Sequence, residues 1–246
     1  MSDLYESRRL LDEYLLFHYG SEHEVLPAPV AWPQAMIDAL GFAERTPSHF
    51  SPAMVERSLD LGCAVGRSAF AMAEHSEHVI GIDFSRAFIG AAEQLRTSGS
   101  IAYERHDEGH LRTALVAKLT AHVAPHRISF MVGDAMHLPP GLADFDRVHA
   151  ANLLCRLTDP LKLINRLPSL VREGGELILA TPCTWLEEYT PRESWPAGST
   201  FDWLVHHLSP HFALIKSQDE PFLIRETSRK FQWTRSLLTY WRRTSA

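Results

Sequence analysis

One stretch limits what this chain can become. Ser58-Leu59-Asp60-Leu61-Gly62-Cys63-Ala64-Val65-Gly66-Arg67 reads as a buried strand that runs into a glycine turn and opens a helix from Ser68. Gly62 and Gly66 let a ligand come close to the backbone, and the N–H groups at the helix start face whatever binds there. A dinucleotide-binding loop needs Gly-x-Gly-x-x-Gly for its diphosphate, whereas Ala64 and Arg67 hold the second and third glycine positions here. Asp60, an acid just ahead of the first glycine, would also repel a diphosphate. A nicotinamide dehydrogenase is therefore disfavoured. An ordinary βα turn is the bland reading, and the strands downstream weigh against it.

Asp-x-Gly-Cys-x-x-Gly resembles the first motif of class I S-adenosylmethionine-dependent methyltransferases, whose ligand carries a cationic sulfonium and an amino acid. The resemblance implies that Asp60, Gly62, Cys63, Ala64 and Gly66 line the cofactor. His78 to Ser85 reads as a second buried strand ending in Asp83, with Phe84 and Ser85 in the turn. An acid about 20 residues beyond such a loop can accept hydrogen bonds from both ribose hydroxyls. Ile128 to Val132 reads as the third strand, and its Gly133-Asp134-Ala135 exit again resembles the methyltransferase pattern. That implies Asp134 at the adenine amine; a turn Asp with an Asx bond is the alternative. Phe145 to Ala151 is the fourth strand. It delivers Asn152 to the carboxyl edge, where open α/β sheets bind ligands, so Asn152 is a catalytic, cofactor and acceptor candidate, with Arg156 close behind. Leu-Leu-Cys-Arg follows Asn152, not the Pro-Pro-aromatic sequence of nucleobase amino-methylases.

Composition bounds the remaining classes. With 246 residues and 45% apolar content the chain can bury one sizeable core, which predicts a single α/β domain with elaborations. A formal charge of -6 gives no basic footprint for nucleic acid, so none is expected as a partner. Cys63, Cys155 and Cys183 form neither a disulfide framework nor a zinc pattern, which suits a cytoplasmic protein with reduced thiols. No run approaches the roughly 20 apolar residues of a membrane span.

Around this core lie a cover, an insertion and an antiparallel end. Asp3 and Glu6 are spaced as a capping box and Gly20 as a stop, predicting a helix that carries Tyr14, His18 and Tyr19. In this class of enzyme such a helix covers the acceptor, and its His18 can titrate near neutral pH. A short helix is expected from Trp32 to Leu40. Residues 1–52 are thus read as a helical cover of the acceptor site, and 53–246 as the S-adenosylmethionine-binding core. An insertion is expected at about 97–127, where Leu111, Leu115, Val116 and Leu119 predict an amphipathic helix. His106, His110, His122 and His126 lie there without a pattern that completes a metal site, and no metal is expected. Glu176 to Ala180 is the fifth strand, residues 181–198 with Trp185 form a loop over the pocket, and three strand-like segments from Phe212 close the sheet.

Several segments are similar to the methyltransferase domain of ovothiol synthases: Tyr5-Glu6 through Phe17-His18-Tyr19-Gly20, the loop from Leu59 to Ser68, Val79 to Ser85, Ala150-Ala-Asn-Leu153, Thr184-Trp-Leu-Glu-Glu188 and Ser228-Arg-Lys-Phe-Gln-Trp233. This likeness covers nearly the whole chain. It implies a class I, Rossmann-like α/β fold with a seven-stranded mixed sheet, and N-methylation of the imidazole ring of a small acceptor, mercaptohistidine, to give ovothiol A. Tyr14, His18, Tyr19, Asn152, Arg156 and Trp185 are the acceptor-binding candidates, with Tyr14, His18 and Asn152 catalytic. Arg229 and Lys230 are candidates for the acceptor carboxylate by resemblance alone. Those synthases usually carry a sulfoxide synthase and a partner domain upstream, so the sulfoxide synthase and lyase activities are expected on separate proteins. Another small amine or thiol as acceptor, or a non-catalytic S-adenosylmethionine-binding protein, remain the alternatives.

Overall fold

A computed structural model describes residues 5–120 and 123–245. Seven strands form one sheet in the order β5-β2-β1-β6-β7-β9-β8, from β1 (Val55–Leu61), β2 (Ser76–Asp83), β5 (Ile128–Val132), β6 (Phe145–Ala151), β7 (Val171–Thr181), β8 (Phe212–Arg225) and β9 (Phe231–Arg243). The first five in that order are mutually parallel, and β9 pairs antiparallel with both β7 and β8. The order reverses between β1 and β6, and crevices at such switch points hold ligands in open α/β sheets.

The sheet divides two cores, and alternation along each strand decides which core a residue joins. Ile178 and Ala180 of β7 join Leu15, Phe42, Phe70 and Phe88, whereas Leu177 and Leu179 join Leu163, Leu167, Leu204 and Leu208. The first group brings in α1 (Arg8–Tyr19), α2 (Glu22–Val25), α3 (Gln34–Ile37), α4 (Phe42–Arg45), α5 (Arg67–Met72) and α6 (Arg86–Ser98). The second brings in α7 (Pro160–Leu170) and α8 (Thr200–Leu208), two helices that periodicity had not singled out. α7 starts on Pro160, and Ser199 caps α8 by accepting from the Asp202 amide.

Several expectations need correction. α1 starts at Arg8 behind a Ser7 cap; Asp3, Leu4 and His122 lie outside the described residues. Glu6 instead accepts from the amides of Arg86 and Ala87, at the start of α6. The expected helix from Trp32 to Leu40 shrinks to α3. The amphipathic helix expected around Leu111 to Leu119 is a strand: β3 (Ser100–Glu108) and β4 (Leu111–Lys118) form a separate antiparallel hairpin, turning at Gly109 with φ 52°. Leu115 pairs with Tyr103, while Leu111 and Val116 stay exposed, so the four apolar residues share no helical face. Cross-strand pairing overrode the local pattern. The segments 212–217 and 222–225 merge into one edge strand, where Pro221 is tolerated.

Candidate active site

The loop after β1 keeps its shape through its own bonds. The amides of Gly62 and Cys63 both donate to the Ile82 carbonyl, at 2.8 and 3.1 Å. Gly62, Ala64 and Gly66 turn the chain at φ 68°, 47° and 87°. A Cβ on Gly66 would lie 2.7 Å from the Phe130 ring, so the backbone there runs where only glycine fits.

Asp83 ties this loop to the end of β2. Its Oδ2 accepts from the Ala64 amide and its Oδ1 from the Ser85 amide, both at 2.9 Å. Each oxygen keeps a lone pair for a ligand hydroxyl. Burial pushes the carboxyl up to about 6; the two amides oppose this, and Asp60 and Glu6 add to it. A carboxylate so reluctant to ionise gains from two further donors, which is what a ribose diol supplies. The glycine turn and this carboxylate therefore fit S-adenosylmethionine. Gly133 joins the same edge by donating to the Asp83 carbonyl at 2.9 Å, and Ala135 is buried beyond it.

Two other expected cofactor acids also hold partners within the protein. Asp60 is 1% exposed, and its oxygens are taken by the Ser68 hydroxyl at 2.6 Å and by His149 Nδ1 at 2.7 Å. His149 Nε2 in turn reaches Thr46 Oγ1 at 3.0 Å. Asp60 thus braces the loop instead of presenting a free carboxylate to the ligand. The signal for this brace was a lone histidine in the apolar strand from Phe145 to Ala151. Asp134 closes its own turn, accepting from the Met136 amide at 2.8 Å and meeting His137 Nδ1 at 2.7 Å, as in the Asx alternative.

Beneath α1 the arrangement is looser. Tyr14 stacks 5.8 Å from His18 and 4.6 Å from Phe88. Tyr19 donates to the Val65 carbonyl at 2.9 Å under the Arg67 guanidinium, whose ion pair is with Glu44. His18 Nδ1 is buried and has no partner. Burial, ahead of a raising effect of Asp60 and a lowering effect of Arg67, pushes His18 down to about 3. The expectation that His18 titrates near neutral pH is therefore corrected: the ring stays neutral.

Asn152 has φ 55°, its amide N–H bonds the Ala180 carbonyl at 2.7 Å, and its Oδ1 accepts from the Ser236 hydroxyl at 2.6 Å. That leaves its NH2 group to donate. Arg156 lies 4.4 Å over the Tyr189 ring and makes no ion pair among the described residues. Tyr189 lies close enough to Tyr5, a residue outside the expected set, for each to perturb the other's hydroxyl. Burial pushes the Tyr5 hydroxyl up to about 12, Arg156 lowers it, and Tyr189 and Asp83 raise it, so one phenol feels the charge of both the cofactor acid and the guanidinium. The exposed ring of Phe84 lies 5.1 Å from Tyr5, and Ser85 caps α6.

Three expected acceptor residues do not join this group. Trp185 donates to Thr200 Oγ1 at 3.0 Å and meets Trp203 edge-on, packing against α8. Arg229 and Lys230 are exposed in the β8–β9 turn, where Lys230 pairs with Glu226 at 2.6 Å. Ser236 stands six residues beyond Lys230 along β9, about 20 Å at the rise of a strand.

Residues 59–179 match the methyltransferase domain family. A tRNA U34 carboxymethyltransferase of Shewanella pealeana is 30% identical over 140 residues, which are 56% of this chain and 35% of that protein. The O-methyltransferase cnsE of Penicillium expansum is 28% identical over 131 residues, 53% of this chain and 39% of that one. The chain thus spans little more than a third of the curated relatives it matches. Among solved structures, the [4+2]-cyclase SpnF aligns with 100% of this chain and 96% of its own, with a TM-score of 0.62 and 14% identity. The N-methyltransferase NodS of Bradyrhizobium japonicum, in complex with S-adenosyl-L-homocysteine, aligns with 96% and 99%, with a TM-score of 0.55 and 16% identity. These likenesses show the class I methyltransferase fold. No helix among the described residues is long and apolar enough to cross a membrane.

Proposed function

We infer that this chain, a methyltransferase that uses S-adenosylmethionine, methylates a ring nitrogen of mercaptohistidine to give ovothiol A. The observation that carries the reading is a set of polar groups left unpaired on α1 and at and just beyond the carboxyl end of β6. His18 Nδ1 lacks a partner, Arg156 lacks a counter-ion, and the Asn152 NH2 group is free to donate. A small, ring-bearing, anionic amino acid supplies what each of them lacks, and the segments similar to ovothiol synthases include His18 and Asn152. The curated relatives named for tRNA match only about half of this chain, so they weigh on the cofactor domain more than on the acceptor.

S-adenosylmethionine, when bound, supplies a methyl group on a positively charged sulfur. The protein's own contribution is alignment and exclusion of water, worth several kcal/mol, and a strong base is not needed. The acceptor ring must present a nitrogen with a free lone pair. A neutral His18 ring has one acceptor nitrogen. Accepting a hydrogen bond from the N–H of the far ring nitrogen, it selects the form whose near nitrogen has already lost its proton to solvent and carries the lone pair that attacks. Asn152 donates to the thiolate sulfur, and Arg156, held over the Tyr189 ring, takes the acceptor's carboxylate. His18 is therefore a positioning group and not a proton carrier.

Turnover with mercaptohistidine, histidine and a simple thiol, followed by mass spectrometry with NMR location of the methyl group, tests this. Mercaptohistidine should be methylated on the ring and far faster than histidine. Equal rates, or a methyl on sulfur or on the α-amine, would overturn the acceptor assignment.

A further inference from the structure

A second cleft, of about 220 Å³, opens on the other side of α1, between that helix, the β3–β4 hairpin and the β8–β9 turn. α1 contributes Arg8, Arg9, Asp12, Glu13 and Leu16 to it. Tyr14 and His18 project from roughly the opposite face, since each residue turns a helix by about 100°. The width of a helix, about 10–12 Å with side chains, separates the two sites.

The cleft holds unbalanced charge of both signs. Arg225 and Arg105 both direct a guanidinium nitrogen to the same oxygen of Asp107, at 2.9 and 2.8 Å, so one buried and one partly buried cation share one carboxylate. The Arg225 side chain is 1% exposed, and its Nε has no hydrogen-bond partner. His106, also on the lining, has a buried Nδ1 in the same condition. On the acidic side, Glu13 makes no ion pair among the described residues, whereas Glu226 in the same cleft is paired with Lys230. Burial, and then the Glu226 charge, push the Glu13 carboxyl up against the weaker pull of Arg9 and Lys230, so a cation bound beside it would favour its ionised form. A surplus cation with an orphaned buried donor, across from an unpaired carboxylate, is a complement to a zwitterion.

We propose that this cleft is a second binding site, for a free α-amino acid, with Arg225 and Arg105 taking the carboxylate and Glu13 the ammonium. A ligand there cannot receive a methyl group through α1. It acts as an effector: it ties α1 to the hairpin and the β8–β9 turn, where the Ser228 amide already bonds the Asp107 carbonyl at 2.9 Å. Because α1 carries His18 and Tyr14 on its other face, occupancy and acceptor binding are coupled reciprocally.

Titration calorimetry of the cofactor-saturated protein with L-glutamine and L-histidine, against histamine and imidazolepropionate, tests the proposal. Both amino acids should bind saturably, and the two truncated probes at least about tenfold more weakly, the loss of one charge-assisted contact. Glu13→Gln, which keeps the shape of a half-buried side chain, should weaken the amino acids by a similar factor and leave S-adenosylmethionine affinity unchanged. Arg156→Ala should leave L-glutamine binding intact. Absence of saturable amino-acid binding, or binding lost in Arg156→Ala but kept in Glu13→Gln, would overturn the proposal; the latter outcome would move the ligand to the acceptor side without touching the methyltransferase assignment.

Discussion

The glycine loop and the side chains packed beneath α1 lie side by side but are finished to different degrees. At the loop, Asp60, Asp83, Ser68 and His149 are each held in place by hydrogen bonds within the protein. On α1, His18 Nδ1 is an orphan, and just beyond the carboxyl end of β6 Arg156 has no counter-ion. The loop is a rigid cradle whose geometry precedes the ligand. The acceptor side is a set of unmet valences that a ligand must complete, and it should respond to substitution through turnover more than through folding.

Gly66 offers the largest break in that contrast. A side chain there meets a positive φ of 87° and the Phe130 ring, which itself packs edge-on against Phe70. Gly66→Val should cost about 2–5 kcal/mol, adding left-handed strain to overpacking. A lowered melting temperature and lost cofactor binding are the readouts. A fully stable variant that binds normally would show that the loop is not the rigid half.

Asp83→Ala should weaken S-adenosylmethionine by about 1.5–3 kcal/mol, the range for hydrogen bonds to a charged acceptor. The wild type carries a pH signature as well. Its carboxyl is raised to about 6, so stability of the free protein is full below the ordinary carboxylate range and declines as pH rises through 6. Cofactor affinity runs the other way, because the ionised form accepts the hydroxyls: it should fall as pH drops below about 6. Asp83→Asn should flatten both slopes in calorimetric titrations.

Sequence reading reached the loop half more fully than the cover. The strands from Ile128 and Phe145, and the acid ending β2, follow from apolar runs bounded by glycine and aspartate, which are local signals. The hairpin at 100–118 was misread because Leu111, Leu115 and Val116 imitate a helical stripe, while Tyr103, the partner that fixes Leu115 in a strand, stands twelve residues away. The Asp60–His149–Thr46 brace joins β1, β6 and the segment after α4, and no spacing rule links three such positions. The side-chain environment of His18 was equally illegible: its type suggested titration, and only burial removes it.

His18→Ala should lower kcat/KM for the acceptor about tenfold, the worth of one hydrogen bond near 1.4 kcal/mol, with cofactor affinity intact. Since the wild-type ring is neutral above about 3, the activity of wild type and variant should differ by a constant factor between pH 6 and 9. A ratio that changes with pH would restore His18 as a titrating group.

The smallest effect, and the one that most sharpens the comparison, belongs to Ser236. Its hydroxyl donates to Asn152 Oδ1 at 2.6 Å across the β7–β9 edge, while the Asn152 backbone is held at φ 55° by its bond to Ala180. The backbone thus fixes where Asn152 stands, and Ser236 fixes which end of its amide faces the acceptor. Ser236→Ala removes one buried hydrogen bond, about 0.5–1.5 kcal/mol. If the free NH2 group serves the acceptor's thiolate, that cost should appear in kcat/KM for mercaptohistidine and be much smaller for an acceptor without sulfur. A loss confined to thermal stability, equal for every acceptor, would assign the Ser236–Asn152 bond to the rigid half of the site and take Asn152 out of acceptor recognition.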